Sequence, residues 1–331
     1  MTVLVTGGAG YIGSHVVRQL LADGRRVVVV DNLSRGHRAA VPEQAAFHQV
    51  DINHTAAISE IMNSEDVDQV LHFAALAYVG ESVREPLRYY RNNSMGTLSL
   101  LEAMSQAKVH NIVFSSSCAT YGVPPEIPIR ETAPQQPINP YGWSKLFSEC
   151  LLRDTVNAHP QLGFVALRYF NVAGCAADGS LGEDHRPETH LIPLALQAAL
   201  GHRDRLQVYG DDYATPDGTC IRDYVHVDDL ARAHIQALQS LSAGDQRFYN
   251  LGIGHGYSVR QVIESVERVT GHNVPHAISP RRPGDPPQLL ASAELASQEL
   301  SWTPRFLDLD AIVHSAFRWF QQHPQGYGTS D

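Results

Sequence analysis

The sequence predicts an α/β protein: a doubly wound parallel sheet with a smaller mixed α/β lobe built onto it. Over the first 170 residues, short apolar runs rich in β-branched residues alternate with helical patterns, which is typical of parallel strands buried on both faces. After about residue 172 the loops lengthen and the alternation is lost. A chain of 331 residues suits two such units at ~150 residues each. We therefore expect one domain over 1–171 and a second lobe over 172–331, with some of the chain returning to the first domain.

The elements follow from these runs in order. The first unit has five predicted strands: Val3–Val5, Val27–Val30, Val70–Ala75, Asn111–Ser115 and Phe164–Tyr169. Helical patterns such as His15–Asp23 and Leu98–Ala107 separate them. In the second unit we expect the helices Leu191–Leu200, Asp228–Leu241, Ser258–Thr270 and Leu307–Gln321. The five prolines between Pro275 and Pro287 predict a loop there.

Composition excludes several classes of partner. The formal net charge is −10, which argues against binding to duplex nucleic acid or to an anionic membrane surface. No apolar run approaches the ~18 residues of a membrane span, and the first residues lack the basic region of a signal peptide. The four cysteines are scattered without a C-x-x-C pair, as in reduced thiols. We expect a cytoplasmic protein with no nucleic-acid or membrane partner.

A glycine-rich turn joins the first strand to the first helix. Gly8, Gly10 and Gly13 fit the pattern G-x-G-x-x-G, and Gly7, Gly10 and Gly13 fit G-x-x-G-x-x-G. Such glycines let the backbone approach a pyrophosphate, and the helix N-terminus favours its negative charge. Asp31 ends the second strand and is placed to accept both hydroxyls of an adenosine ribose, which favours NAD over NADP. Asp51 and Ile52 are either adenine contacts or an ordinary strand terminus, and the sequence leaves both open.

A second motif carries acid–base chemistry. Tyr141 and Lys145 are four residues apart at the start of a predicted helix, so they share one helix face. A nearby ammonium favours the phenolate, so the lysine is expected to lower the pKa of the tyrosine. Ser117 follows the strand Asn111–Ser115 at the carboxyl edge of the sheet, where ligands of such folds bind. The alternatives are a surface helix pair and a serine that caps the next segment.

Two clusters of possible metal ligands are set aside. His185 and His190 stand close to acidic residues, but neither H-E-x-x-H nor a recognised His/Cys spacing appears. Asp211, Asp212 and Asp217 lack the spacing and terminal glutamate of a calcium loop. The sequence therefore predicts no metal site. The acidic residues of the first cluster are Glu183, Asp184 and Glu188.

Taken together, these motifs resemble the extended short-chain dehydrogenase/reductase family, and within it the UDP-sugar 4-epimerases. The glycine turn and the tyrosine–lysine pair are typical of the whole family, whereas strings in the second lobe are specific to the epimerases. The resemblance covers nearly the whole chain. Its specific strings are Gly182-Glu183-Asp184, Asp217-Gly218-Thr219, Arg222-Asp223-Tyr224-Val225-His226, Tyr249-Asn250-Leu251-Gly252 and Arg281-Arg282-x-Gly284-Asp285.

The resemblance implies a role for each matching residue. Ser117, Tyr141 and Lys145 are implied as the catalytic residues, and they also contact the cofactor. The other implied NAD contacts are Gly7, Gly10, Tyr11, Ile12, Gly13, Asp31, Asn32, Leu33, Ser34, Arg35, Asp51, Ile52, Phe73, Ala74, Ala75, Asn92 and Phe170. The implied UDP-sugar contacts, beside Ser117 and Tyr141, are Asn171, His190, Leu191, Gln207, Val208, Tyr209, Arg222, Arg282, Asp285 and Leu289.

The implied activity is a reversible inversion at carbon 4 of UDP-glucose and UDP-galactose, through a transient 4-keto sugar with tightly bound NAD. The alternatives are epimerisation of another UDP-sugar (N-acetylhexosamine, xylose or glucuronate) and a non-catalytic NAD-binding regulator. A 4,6-dehydratase is disfavoured because no Asp-Glu pair follows Ser117. Two departures stand out, since Ala77 replaces an expected lysine near the cofactor and Cys118 replaces an alanine.

A homodimer is also expected. The segments Leu98–Met104 and Leu146–Leu152 carry apolar residues beyond a single core-facing stripe. The resemblance implies that such helices pair between two subunits, and C₂ dimers are the commonest oligomers.

Overall fold

The computed structural model describes residues 1–282 and 285–328. Its strands, in chain order, are β1 (Thr2–Thr6), β2 (Arg26–Asp31), β3 (Ala46–Gln49), β4 (Val67–His72), β5 (Asn111–Ser115), β6 (Gly163–Tyr169), β7 (Asn171–Ala173), β8 (Leu206–Tyr209), β9 (Ile221–His226), β10 (Gln246–Leu251), β11 (Gly256–Ser258), β12 (His276–Ser279) and β13 (Gln288–Leu289). Its helices are α1 (Tyr11–Ala22), α2 (Thr55–Ser64), α3 (Val79–Arg84), α4 (Pro86–Tyr89), α5 (Gly96–Ala107), α6 (Pro140–Ala158), α7 (Leu191–Ala199), α8 (Val227–Ser240), α9 (Val259–Thr270), α10 (Glu294–Leu300) and α11 (Leu309–Gln322).

A seven-stranded sheet forms the centre of the molecule. Its strand order is β10-β6-β5-β4-β1-β2-β3, and every neighbouring pair is parallel. The order reverses between β1 and β4, and open α/β sheets bind ligands in the crevice beyond the strand ends at such a reversal. The predicted fold class is confirmed, and β10 brings the second half of the chain back into the first sheet.

Burial explains why the strands read as continuous apolar runs. Val27 to Val30 are each at most 1% exposed, because helices cover both faces of the sheet. One face packs beneath α1 and α8, with Val16, Leu20 and Leu230 in the same apolar cluster. The opposite face packs beneath α2, α5 and α6. The sheet is therefore covered by helices on both faces, and the crevice opens at its carboxyl edge.

The second lobe is organised around β9, which pairs with β7, β11 and β13. A separate parallel pair joins β8 to β12, and α7, α9 and α11 pack around an apolar cluster beside them. The predicted loop from Pro275 to Pro287 is therefore wrong in part. His276–Ser279 fits between two prolines and finds a strand partner in β8, which the proline count alone did not reveal.

Two other boundaries differ from the prediction. The strand predicted to reach Ala75 ends at His72, because Phe73, Ala74 and Ala75 leave the sheet to line the crevice. Helix α1 begins at Tyr11, four residues before the predicted start, since the glycine turn leads straight into it. Gly284 and residues 329–331 lie outside the described residues.

The last described residues fold back over the first domain. The ring of Tyr327 stacks on His37, with 5.0 Å between the ring centroids, and its backbone N–H donates to Asp184 at 3.0 Å. The Gly182 N–H donates to the Tyr327 hydroxyl at 3.0 Å. The chain end therefore ties together two loops, one from each half of the molecule.

Among the residues that the structure describes, none of the helices combines the length and apolar character that crossing a bilayer requires.

Candidate active site

The glycine turn lies where β1 and β4 separate. Gly7 has a φ of +72°, and a Cβ there would come within 2.6 Å of the Ala74 nitrogen. A Cβ on Gly13 would come within 2.2 Å of the Gly7 carbonyl oxygen, so this glycine lets helix and turn pack closely. The turn is therefore held against the end of β4 with its backbone exposed to the crevice, a cradle that fits a dinucleotide pyrophosphate.

A cavity opens beside this turn. It is lined by Gly7, Gly10, Asp31, Asn32, Ser34, Arg35, Ile52, Phe73, Ala74, Ala75 and Asn92, all of them predicted cofactor contacts. Its lining also includes four residues that the sequence did not single out: Val30, Gly36, Val50 and Leu76. The other predicted contacts lie outside this lining: Tyr11, Ile12, Gly13, Leu33, Asp51, Ser117, Tyr141, Lys145 and Phe170.

Two carboxylates, Asp31 and Asp51, lie at or beside one side of the cavity. Asp31 is buried at the end of β2, where it accepts hydrogen bonds from the backbone N–H groups of Ala9 (3.0 Å) and Leu33 (2.8 Å). Burial raises the pKa of Asp31 in spite of these bonds. Partial burial also disfavours the charged form of Asp51, but hydrogen bonds from Asn53 and Asn32 hold its pKa below the ordinary value.

The predicted catalytic residues come together where β5 and α6 meet. Asn139 caps α6 by accepting the Gly142 N–H at 2.9 Å, which places Tyr141 in the first turn. The Lys145 ammonium donates to the Ser115 carbonyl at 2.7 Å. Tyr141, Ser117 and Lys145 are only 8%, 7% and 3% exposed. A surface helix pair is therefore excluded, although the Ser117 hydroxyl does cap the next turn by accepting the Ala119 N–H at 3.1 Å.

The electrostatics of this group differ from the sequence-based expectation. Burial raises the pKa of Tyr141 to about 12, and a hydrogen bond with Ser117 opposes that rise. Burial lowers the pKa of Lys145 to about 7, and only the charge of Glu149 counters it. The expected lowering of the tyrosine pKa by the lysine is therefore not seen, because the same desolvation weakens both charged forms.

A buried ion pair that sequence reasoning missed holds the catalytic helix. Glu149, one turn beyond Lys145, accepts Arg168 Nη2 at 2.7 Å and Nε at 2.9 Å. It also accepts the Ser116 hydroxyl at 2.6 Å and Gln135 Nε2 at 2.9 Å. The pair therefore joins α6 to the ends of β5 and β6. An arginine inside the otherwise apolar run Phe164–Tyr169 was the available signal.

The second lobe contributes charges and a wall to the same end of the molecule. The Arg222 guanidinium forms an ion pair with Asp285, and Leu289 on β13 lies in register beside Arg222 on β9. Leu289 also packs against an apolar cluster that contains Phe170 and has Cys118 at its edge. Leu289 thus connects the second lobe to the residues next to Ser117.

The remaining predicted substrate contacts are spread along the second lobe. Arg282 lies over the Tyr209 ring with 4.0 Å to its centroid, and Gln207 accepts the Ser279 hydroxyl at 2.8 Å. Asn171 begins β7, and His190 and Leu191 begin α7. Val208 is a correction: its side chain is buried in the core of the lobe because β8 turns this residue inward, so only its backbone remains for a ligand.

Glu183, His185, Glu188 and His190, which the sequence set aside, form one cluster. His190 Nδ1 lies 2.8 Å from Glu183 and 2.9 Å from Glu188. Burial lowers the pKa of each imidazole, but the two carboxylates outweigh it and raise the pKa of His185 to about 9 and that of His190 to about 10. The cluster is reinforced by Tyr78, whose ring lies 5.8 Å from that of His185 and under the Arg35 guanidinium.

Ala77, at the position where the resemblance implies a lysine, is exposed and immediately precedes Tyr78.

A parallel sheet with a glycine turn at its reversal point and a buried serine, tyrosine and lysine beside it defines a dinucleotide-dependent enzyme. Residues 3–252 match the model of the NAD dependent epimerase/dehydratase family. The chain is 52% identical over 329 residues to a UDP-glucose 4-epimerase of Lacticaseibacillus casei, with 99% of each chain covered. The chain belongs to the NAD dependent epimerase/dehydratase family.

Solved structures of similar proteins indicate the same family. A UDP-glucose 4-epimerase of Brucella ovis in complex with NAD superposes with a TM-score of 0.92 at 51% identity, covering 96% of this chain and 98% of the other. A UDP-glucose 4-epimerase of Bifidobacterium longum in complex with NAD⁺ and UDP superposes with a TM-score of 0.94 at 43% identity, covering 98% and 100%.

Proposed function

We propose that this chain is an NAD-dependent isomerase that interconverts UDP-glucose and UDP-galactose by inverting carbon 4 of the sugar. The observation that carries the proposal is the buried Ser117, Tyr141 and Lys145 group between a nucleotide cavity and the charged residues of the second lobe. Relatives of about 50% identity over their full length are UDP-glucose 4-epimerases.

The residues of the first domain fit NAD. The glycine turn would hold the pyrophosphate, and Asp31 would take the adenosine ribose hydroxyls and repel a 2′-phosphate. Asp51 and Ile52 would border the adenine, since Ile52 lines the cavity and Asp51 is anchored to Asn32 at 2.8 Å. Ala77 offers no charged group there, so retention of NAD rests on the remaining contacts.

The mechanism follows from the catalytic group. Ionised Tyr141 takes the proton of the sugar 4-hydroxyl, while Ser117 holds the same oxygen. NAD, when bound, supplies the hydride acceptor for carbon 4 and a positive charge that favours the phenolate. Lys145, anchored to the Ser115 carbonyl, would hold the ribose of bound NAD close to the tyrosine. The 4-keto sugar then turns in the site, so that Tyr141 returns its proton after the opposite face has been reduced.

The second lobe is suited to the UDP part of the substrate. Arg222 and Arg282 present guanidinium groups that match diphosphate oxygens, and Asp285 orients the first of them. The other proposed contacts are Asn171, His190, Leu191, Gln207, the backbone of Val208, Tyr209 and Leu289. We accordingly assign residues 1–171 to NAD binding and catalysis and 172–331 mainly to UDP-sugar binding, with β10 returning to the first sheet.

The direct test is conversion of UDP-galactose by the purified protein without added NAD or reductant. We expect UDP-glucose to accumulate up to equilibrium, because the bound cofactor is regenerated in each cycle. Formation of a dehydrated or oxidised sugar nucleotide instead would contradict the proposal. A regulator that only binds NAD would leave UDP-galactose unchanged; the presence of both Tyr141 and Lys145 disfavours that alternative.

Substitutions at Leu289 test which sugar fits. The position of Leu289 beside Arg222 and the Phe170 cluster supports our proposal that its side chain forms a wall of the sugar pocket. Leucine is intermediate in bulk, and steric rejection by a few methylenes is worth only ~1–3 kcal/mol, so we expect weak activity on N-acetylated sugars. Leu289→Tyr is expected to remove that side activity and spare the main reaction, and Leu289→Ala to raise the ratio of the two kcat/KM values. An unchanged ratio in both variants would place the pocket wall elsewhere.

We also infer a homodimer, whose contact surface differs in part from the one that the sequence predicted. Leu100, Leu101 and Met104 of the predicted segment are buried in the core, and so cannot pair with a second subunit. Exposed apolar side chains cluster around α3, α4 and the first turns of α6, and they include Phe147 of the other predicted segment, Leu146–Leu152. They are Val83, Leu87, Met95, Trp143 and Phe147.

Light scattering tests this assignment. We expect the mass of a dimer at micromolar concentration and a shift towards monomer in Leu87→Glu, because Leu87 is 78% exposed and a buried unpaired charge opposes association. Leu307→Glu, at an exposed apolar residue of the second lobe, is the matched control and should leave the mass unchanged. A monomeric parent protein would overturn the assignment.

A cytoplasmic location is also part of the proposal. All four cysteines are free in the structure, as is usual where thiols are kept reduced.

A further inference from the structure

The loop between β7 and α7 gathers four side chains that can bind a metal ion. Glu183, His185, Glu188 and His190 each offer one ligand atom, and these atoms all lie within 4.8 Å of one another. Two come from imidazoles and two from carboxylates, all within a segment of eight residues. We propose that this cluster is a binding site for a transition-metal dication, with Zn²⁺ as the ion that best suits two imidazoles and two carboxylates.

The spacing of the ligand atoms fits a small tetrahedral ion. His190 Nδ1 lies 2.8 Å from Glu183 and 2.9 Å from Glu188, and His185 Nδ1 lies 3.1 Å and 3.7 Å from the same carboxylates. Ligands at Zn²⁺ bond lengths of ~2.0–2.2 Å stand roughly 3.4 Å apart in a tetrahedron. These four separations, which involve both oxygens of Glu188, bracket that value, and the four ligand atoms all lie within 4.8 Å of one another, so small movements of the side chains would complete the coordination.

The nitrogen of His185 is a second, independent indication. Its Nδ1 is fully buried and has no aligned hydrogen-bond partner, although two carboxylates lie nearby. Buried polar atoms are nearly always hydrogen-bonded, so such an atom needs an explanation. A metal ion at the centre of the cluster would use its lone pair.

The surroundings hold the ligands in place and shield part of the cluster from water. The Glu188 carboxylate accepts the backbone N–H groups of Thr189 (2.6 Å) and His190 (2.8 Å), which fixes its orientation. The rings of Tyr11 and Tyr78 lie edge-on to that of His185, with centroids 6.1 Å and 5.8 Å away. Two carboxylates balance the charge of a dication, so the occupied site would be neutral in this shielded place.

The two imidazole nitrogens determine which of the common ions the cluster favours. Mg²⁺ and Ca²⁺ prefer sites made of oxygen ligands, whereas Zn²⁺ and its neighbours bind imidazole well. Because His190 contributes Nδ1, its Nε2 stays on the opposite side of the ring, and the side chain is 39% exposed. The ion would therefore fix the orientation of His190, which stands at the N-terminus of α7 and is also one of the proposed UDP-sugar contacts.

The test is metal retention by the full chain, purified without a histidine tag. The protein is stripped with a chelator, loaded with Zn²⁺, separated by gel filtration and analysed for bound metal; Co²⁺ loading reports tetrahedral geometry through its visible absorption. We expect about one ion per chain, and at least a ~100-fold weaker affinity in His185→Gln, because a ligand should matter at least as much as the outer-shell groups whose loss costs 10–100-fold.

His48→Gln is the matched control, since His48 forms an isolated pair with Glu65 at 2.9 Å and should leave metal binding unchanged. Glu188→Gln is the second variant in case His185→Gln does not fold, and it should weaken binding in the same way. A parent protein that retains no metal contradicts the site and leaves two imidazolium–carboxylate pairs as the structure of the cluster. Equal retention by the parent and both variants also contradicts it.

Discussion

Tyr141→Phe is expected to keep the fold and NAD binding but to lose ~10²–10⁴-fold in kcat, the usual effect of removing a general acid–base group. The side chain is buried, and only its hydroxyl oxygen can exchange a proton with the sugar in the proposed mechanism. Phenylalanine keeps the ring and its packing against Tyr89 and removes that oxygen alone. The measurement is the initial rate of UDP-glucose formation from UDP-galactose at saturating substrate.

A second tyrosine variant serves as a control that distinguishes a loss of catalysis from a loss of stability. Tyr257→Phe removes a hydroxyl that donates to the Leu307 carbonyl in the second lobe, and its kcat should stay close to that of the parent. Bound NAD, measured by its absorbance after denaturation, should be equal in the parent and both variants. Near-normal turnover by Tyr141→Phe would assign the proton transfer to another group.

Glu149→Gln is expected to lower the free energy of unfolding by about 3–5 kcal/mol, because it leaves the Arg168 guanidinium buried without a counter-charge. Both side chains are at most 3% exposed, and the carboxylate collects four donors from three different parts of the chain. Urea denaturation followed by circular dichroism measures the loss. The loss of stability is expected because these contacts are lost, whether or not the variant is active.

The exposed pair of Glu85 and Arg88 provides the comparison. Its carboxylate lies 3.1 Å from the guanidinium, but about half of each side chain is in solvent, so Glu85→Gln should cost no more than ~1 kcal/mol. Equal losses in the two glutamine variants would mean that Arg168 finds another partner or water when Glu149 loses its charge.

Much of the fold was predictable because a parallel strand that is buried on both faces has a short, continuous run of apolar residues. Val27 to Val30 could belong only to a covered strand, and Gly7 to Gly13 with Asp31 predicted where a nucleotide would lie. The strand His276–Ser279 could not be predicted in this way, because its formation depends on a partner seventy residues away.

The candidate active site likewise has features that the sequence could predict and features that it could not. Tyr141 and Lys145 could be predicted as candidates because residues four apart share a helix face, and Ser117 because it follows a strand at the carboxyl edge of the sheet. Their pKa values could not be predicted, since desolvation depends on burial, which spacing does not give. Likewise, the cluster of Glu183, His185, Glu188 and His190 has no standard ligand spacing, and it forms because an irregular loop folds back on itself.

The tail that reaches Tyr327 offers an observation point on the nucleotide cavity. Gly36 lines that cavity, and its neighbour His37 is stacked beneath Tyr327 and donates its Nε2–H to the backbone carbonyl of Asp184. Movement of Gly36 and His37 away from the second lobe would separate the two rings. An optical label on the exposed Gln325, two residues before Tyr327, would therefore report on contacts at this side of the cavity.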